Sequence, residues 1–244
     1  MSGHSKWSTI KRKKGALDAK RNKIFTKLIR EITIAAKIGG GGDVESNPRL
    51  RVAVNKAKVA NMPKDNIEKA IKKGIGGNEG VEYFEITYEA YAPYGVALMI
   101  KCLTDNKNRT SSDVKSVLAK DGGSLGTPGS VSYMFYRKGL IVYNLEKYLE
   151  DEIMEFALEA GAEDILVSNN EVEVITSPDD FDKVLSFLKT KFKEEMAEVA
   201  LIPENKISLN KEQAEKIILL IEKLEDFDDV QEVIHNLEIP EELS

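Results

Sequence analysis

Apolar residues recur along this chain with two different periods, and the change from one to the other divides it. From Ala16 to Ile38, the residues Ile24, Phe25, Leu28, Ile29, Ile32, Ala35 and Ala36 fall at i, i+3 and i+4 spacing. That spacing predicts one face of a long helix, with Gly39 placed to end it as the C′ residue. Lys20, Arg21, Lys23, Lys27 and Arg30 form its charged face. The glycines at 39–42 read as a helix-helix connector, because a phosphate loop needs Lys-Ser/Thr where Asp43, Val44 and Glu45 stand. Asn47 is placed as N-cap of a second helix with Pro48 at N1; Leu50, Ala53, Val54, Ala57 and Ala60 are its core stripe, and Arg49, Arg51, Lys56 and Lys58 lie outside. Pro63 opens a third helix in which Ile67, Ala70 and Ile71 face inward, with Gly74 expected to stop it.

Beyond a glycine-rich linker, 74–80, the period drops to two. Phe84, Ile86, Tyr88 and Ala90 alternate with polar residues, and after Pro93-Tyr94-Gly95 so do Val96, Leu98, Ile100 and Cys102, which predicts two antiparallel strands. Cys102 shares the apolar face of its strand and reads as a core thiol. Residues 104–110 cap a helix carried by Val114, Val117 and Leu118 as far as Gly122, and a glycine-rich loop leads to a predicted strand over Ser130–Tyr136. That loop follows a helix and precedes a strand, the reverse of a dinucleotide fingerprint.

Residues 139–203 then read as strand, helix, strand, strand, helix, strand: Leu140–Tyr143, Leu145–Ala160, Asp164–Ser168, Glu171–Thr176, Asp179–Phe192 and Ala197–Ile202. This β-α-β-β-α-β order is the ferredoxin-like signature. A helix over Lys211–Leu224 and a strand over Val230–Leu237 follow, and they supply what the middle region lacks. The predicted fold class is therefore multidomain α+β: a helical domain (1–79), a discontinuous α/β sandwich (80–137 and 204–244), and a ferredoxin-like α/β sandwich (138–203) inserted into it. A lone C-terminal helix and strand would leave apolar faces uncovered.

Charge sharpens this division. The first 30 residues hold ten Lys/Arg and one acid, Asp18, a net of +9 in a chain whose total is −6. Residues 1–80 carry 19 Lys/Arg against 7 Asp/Glu, a net of +12, and the remainder nets −18. A basic head on an acidic body turns the head toward polyanions and keeps the rest of the surface off them. No apolar run approaches the roughly 18 residues of a membrane span, and the N-terminus has no apolar signal-peptide core, so the chain reads as soluble and cytoplasmic. Ser2 excludes myristoylation. Lys11–Lys14 resembles a nuclear import signal, and the Lys-rich amphipathic start a transit peptide, as any basic arm would. One cysteine rules out an internal disulfide.

Candidate chemistry is sparse. His4 and His235 are the two histidines, and with one cysteine they make no zinc ligand set. Asp226, Asp228 and Asp229 fall in a turn between helix and strand, where solvated acids are ordinary. No Ser/His/Asp, Walker or glycosidase pattern can be assembled, so the expectation is a non-enzyme with no cofactor, no metal and no small-molecule substrate. Nucleic acid is the expected partner. The candidate contacts are His4, Lys6, Trp7, Lys11, Arg12, Lys13 and Lys14 in the arm, Lys20, Arg21, Lys23 and Lys27 on the first helix, and Arg49 and Arg51 on the second. Trp7, the single tryptophan, can either stack on an unpaired base or pack on its own helix. Lys107 and Arg109, beside Asn106 at a helix start, make a weaker phosphate candidate.

The spaced motifs Met1-Ser-Gly-His-Ser-Lys-Trp7, Asp18-Ala-Lys-Arg21, Ile24-Phe-Thr-Lys27, Asn47-Pro-Arg-Leu-Arg51, Asn61-Met-Pro63, Thr104-Asp-Asn106, Asn108-Arg-Thr110, Gly122-Gly-Ser-Leu-Gly126, Gly129-Ser-Val131 and Asp228-Asp-Val-Gln231 together resemble the YebC/PmpR family. Departures are Ser2 for the usual Ala and Ala90 where Gly is common. The resemblance implies a helical domain followed by two α/β domains. For function it implies a DNA-binding transcriptional regulator or, as in relatives that include a mitochondrial branch, a ribosome-associated translational activator, some members relieving stalling at proline runs. The residues alone permit both: no recognition helix with a base-reading Asn, Gln or Arg stands out, and Lys-rich arms bind phosphate without reading sequence.

Overall fold

The computed structural model describes residues 19–39, 41–76, 83–168 and 170–243. The head contains α1 (Ala19–Ile38), α2 (Pro48–Val59) and α3 (Lys64–Ile75), with α1 packed against both of the others. Ile32, Ala35 and Ala36 of α1 meet Leu50, Ala53 and Ala57 of α2 and Ile67 and Ala70 of α3 in one buried cluster. Ile24, expected in that stripe, is 45% exposed, because the core begins a turn later. α1 ends at Ile38, just before Gly39 as expected, but two glycines are set by close packing rather than by a left-handed turn. Gly74 does not stop α3 but lies inside it, buried, where a Cβ would run into the Thr33 carbonyl and the Ala36 side chain. Gly39 keeps a negative φ, and a Cβ there would overlap the Asn47 side chain.

Asn47 explains how α2 is held. Its Oδ1 accepts from the Leu50 N–H at 3.0 Å, capping α2, while its Nδ2 donates to the Ala35 carbonyl at 2.8 Å near the end of α1. One buried amide therefore caps the start of α2 and gives a second donor to the Ala35 carbonyl, which also accepts from the Gly39 N–H at 3.0 Å.

The rest of the chain runs β1 (Phe84–Tyr91), β2 (Ala97–Thr104), α4 (Lys107–Lys120) and β3 (Ser124–Leu125). Next come β4 (Phe135–Asn144), α5 (Glu150–Ala160), β5 (Asp164–Val167), β6 (Glu171–Thr176), α6 (Phe181–Leu188) and β7 (Met196–Pro203). Last are β8 (Ile207–Ser208), α7 (Lys211–Glu225), β9 (Val230–His235) and β10 (Leu237–Glu238). The first sheet has the order β3-β1-β2-β9, the second β5-β6-β4-β7, and β8 pairs with β10 in parallel. The first sheet thus takes strands from both sides of the second in sequence.

In the first sheet β1 and β2 form an antiparallel hairpin in register from Phe84↔Thr104 to Tyr91↔Ala97. Leu98, Ile100 and Val233 of the sheet pack under Val114 and Leu118 of α4 and Ile217, Leu220 and Ile221 of α7. Cys102 is 3% exposed among them, and burial pushes its thiol up to about 12, so it is un-ionised at neutral pH, as expected of a core cysteine.

In the second sheet every pairing is antiparallel and β4 lies between β6 and β7. A strand over Ser130–Tyr136 does not form as expected. Residues Ser132–Met134 make a 3-10 turn, and β4 starts at Phe135 and runs through to Asn144. The cause is Glu89, whose carboxylate accepts from the N–H groups of Gly129 (2.6 Å), Val131 (2.7 Å) and Ser132 (2.8 Å) and so curls the segment back on β1. The helices of this half are also shorter than the apolar pattern: residues 145–149 form a turn around Asn144, and the sixth helix closes at Leu188. Ala97, Met99 and Ile234 of the first sheet pack against Val131, Phe135 and Leu201, which joins the two sheets.

Candidate nucleic-acid interface

Asp229 is the turn residue just before β9, and its main chain is fixed first: its carbonyl accepts from the Leu103 N–H at 2.7 Å, beside the end of β2. This places the carboxylate over the β2–α4 junction. Oδ2 accepts from Thr104 Oγ1 (3.1 Å), Thr110 Oγ1 (2.8 Å) and Arg109 Nη2 (2.7 Å), and Oδ1 from Arg30 Nη1 of the head (2.5 Å). Burial pushes the Asp229 carboxyl up, but hydrogen bonds from Arg109, Thr110 and Arg30 outweigh it and hold it below the ordinary carboxylate range. Arg109 also reaches Asp105 at 2.7 Å; its bond to Asp229 is the largest influence raising its own pKa. Asp229 is 7% exposed, which overturns the expectation of a solvated acid; Asp226 and Asp228 are exposed as that reading required.

Around this carboxylate the cations of α1 meet the C-terminal end of α7. Lys27 Nζ donates to the Glu225 carbonyl at 2.5 Å, Arg30 Nη1 to the Asp228 carbonyl at 3.0 Å, and Lys23 Nζ lies 3.0 Å from Asp226 Oδ1. The last carbonyls of a helix carry partial negative charge and lack intrahelical partners, so a lysine-bearing face is the complementary surface for them. A cavity of about 360 Å³ opens at the same seam, between Arg30, Arg109, Asp113 and Phe227.

The sequence candidates therefore separate. Lys23, Lys27 and Arg109 are engaged by the acidic turn and its neighbours. Arg49 binds Glu31 at 3.1 Å and also Glu85; burial works against its charge, but these two acids outweigh it and raise its pKa. Lys107 sits with Nζ 4.1 Å from the Phe84 ring centroid, a cation–π contact, and Asn106 caps α4 by accepting from the Arg109 N–H at 3.0 Å. The α4 start is thus capped and lined by acids. Arg51 is exposed on α2 and has no ion pair among the described residues. His4, Lys6, Trp7, Lys11, Arg12, Lys13 and Lys14 lie outside the described residues, as do the side chains of Lys20 and Arg21.

Sequence reasoning missed Asp229, Thr104 and Thr110 as one constellation. Their only signal was membership of three motifs, Thr104-Asp-Asn106 and Asn108-Arg-Thr110 close together and Asp228-Asp-Val-Gln231 far along the chain. Among the described residues no group of three or more His, Cys, Asp or Glu is placed to hold a metal ion, and no helix is long and apolar enough to cross a membrane.

Comparison with known proteins bears on the whole chain. Residues 5–77 match the family model described as the TACO1/YebC protein N-terminal domain, and residues 83–237 match the TACO1/YebC second and third domain. A protein of Borrelia garinii subsp. bavariensis is 98% identical over all 244 residues, covering 100% of both chains, and carries the name probable transcriptional regulatory protein. A Borrelia hermsii protein of the same description is 75% identical over 243 residues, again covering 100% of each. The crystal structure of a conserved hypothetical protein from Aquifex aeolicus superposes with a TM-score of 0.77 at 47% identity, covering 92% of this chain and 93% of that one.

Proposed function

The chain belongs to the TACO1/YebC family, and we propose that it is a nucleic-acid-binding regulator of gene expression that acts as a cytoplasmic DNA-binding transcriptional regulator. The observation that carries this reading is the charge distribution. A head at +12 stands on a body at −18, so phosphate is attracted to one end only. The names of the near-identical relatives, probable transcriptional regulatory protein, support a regulator rather than an enzyme. In this reading the arm, residues 1–15, and the head, residues 1–79, bind, and the discontinuous α/β unit and the ferredoxin-like unit are the body. No cofactor or small-molecule substrate is required. Competition by a defined duplex against random duplex at one salt concentration tests it: a regulator prefers the defined site, and equal competition excludes sequence-specific regulation.

One observation favours a second reading, a ribosome-associated translation factor. Trp7 lies among Lys6, Lys11 and Arg12, and such an aromatic in a basic arm suits unpaired RNA bases better than duplex. Sedimentation with ribosomes at low salt tests this, and failure to comigrate removes it.

A further inference from the structure

Among the head helices of the described structure, α2 is the one without an acid. The α1 helix carries Glu31 and α3 carries Asp65 and Glu68, whereas Pro48–Val59 contains Arg49, Arg51, Lys56 and Lys58 and no carboxylate. Its buried side is Leu50, Ala53, Val54 and Ala57. At roughly 100° per residue, the line opposite that side is Val52, Asn55 and Val59. Arg51 and Lys58 flank this ridge on one side, Arg49 and Lys56 on the other. Val52 is 54% and Val59 84% exposed, and Asn55 is exposed between them.

A single exposed valine is ordinary. Here two stand two turns apart, about 10 Å along the axis, separated by an asparagine and bordered by cations on both flanks. None of the three ridge residues is a strong helix former, and none belongs to the head's buried core, so neither local propensity nor that core accounts for them. The cations select a polyanion. The apolar ridge between them selects one that offers apolar and amide-complementary groups between two rows of phosphate.

We propose that α2 enters the major groove of B-form duplex DNA, with Val52, Asn55 and Val59 facing base edges and Arg51, Lys56 and Lys58 facing phosphates. This rests on the nucleic-acid reading above. A helix with side chains is about 10–12 Å across, and the B-form major groove is about 12 Å wide, with thymine methyls for the valines and the N6/N7 edge of adenine for the asparagine. The deep, narrow major groove of A-form RNA does not admit such a helix. Asn47 fixes α2 to α1, and Arg49 is tied to Glu31 and Glu85, so the ridge projects from a rigid support.

The test uses the full chain to enrich sequences from a pool of short random DNA duplexes. Affinities at several salt concentrations are then measured for the enriched duplex, the random pool and an RNA duplex. Asn55→Ala is expected to weaken binding to the enriched duplex by about tenfold or more and to erase its preference over random DNA. Arg51→Ala and Lys58→Ala are expected to weaken binding to both DNAs and each lower the salt slope by about one. Lys216→Ala, an exposed cation of the body, serves as the control, and unchanged thermal midpoints show that the fold is intact. The proposal is overturned, with the nucleic-acid reading left standing, if the Asn55, Arg51 and Lys58 variants all keep wild-type preference and slope. Enrichment of no sequence overturns the role of Asn55, and equal affinity for the RNA duplex overturns the groove assignment. If the wild-type chain binds no nucleic acid, the underlying reading falls and this proposal with it.

Discussion

Arg30 of the head donates from Nη1 to Oδ1 of Asp229 at 2.5 Å, across 199 residues of sequence. The second oxygen of the same carboxylate is held by Thr104, Arg109 and Thr110. One oxygen thus faces the helical head and the other the β2–α4 junction, so a single buried carboxylate joins the two.

Removing that carboxylate should destabilise the protein far more than removing its exposed neighbours. Asp229→Ala leaves Arg30, whose side chain is 19% exposed, without its anion, and breaking one partner of such a buried pair costs about 3 kcal/mol or more. Asp226→Ala removes an ion pair whose two side chains are 43% and 64% exposed, a class contributing about 0–1 kcal/mol. Urea unfolding of the two variants measures the difference, and equal losses would show that Asp229 is not the joint.

The same carboxylate sets an acid dependence. Burial raises its pKa, the bonds from Arg109, Thr110 and Arg30 lower it further, and the net is a folded value below the ordinary one. A depressed folded pKa contributes stability that is fully present above the unfolded value, about 3.9, and is lost as pH falls through the folded value. The stability gap between wild type and Asp229→Asn should therefore be constant from about pH 8 to pH 5 and narrow below about pH 4. A gap that narrows between pH 8 and 5 would assign the effect to another group.

Asn47→Ala should loosen α2 from α1. The change removes the cap on Leu50 and leaves the Ala35 carbonyl without its 2.8 Å donor at a position where Asn47 itself is 3% exposed. The Ala35 carbonyl keeps the Gly39 N–H at 3.0 Å, so a lost cap of about 1 kcal/mol and one lost buried hydrogen bond of about 1 kcal/mol give about 2 kcal/mol. Asn47→Asp keeps the acceptor and loses the donor, so its thermal midpoint should fall between those of wild type and Asn47→Ala.

The elements were largely legible because periodicity and caps act locally. Asn47 and Asn106 were visible as helix starts, and the switch of period after residue 80 marked the strands. What stayed hidden depended on partners distant in sequence. Glu89 bends residues 129–132 away from the expected strand from 40 or more positions upstream, and no local pattern at Ser130 encodes that. Gly74 resembles a helix stop until the Thr33 backbone is seen against it. For the binding residues, charge alone could not separate cations facing solvent from cations facing acids. Arg109 and Arg51 look equivalent in sequence, yet one lies between two aspartates and the other is exposed.

That difference yields a separable prediction for stability and binding. The Arg109 guanidinium is already held by Asp105 and Asp229, so a phosphate would have to displace two carboxylates to reach it. Arg109→Ala should lower the thermal midpoint while leaving affinity for nucleic acid within about twofold and the salt slope unchanged, because no counterion is released at a cation that contacts no phosphate. Deleting Met1–Gly15 removes Lys6, Lys11, Arg12, Lys13 and Lys14 together, and the loss of the counterion release at all five should abolish measurable binding, with the midpoint unchanged. Circular dichroism melts and salt titrations on the same two proteins distinguish the outcomes. If the deletion instead lowers the midpoint as Arg109→Ala does, the segment is structural and Trp7 is an anchor of the head rather than a platform for a base.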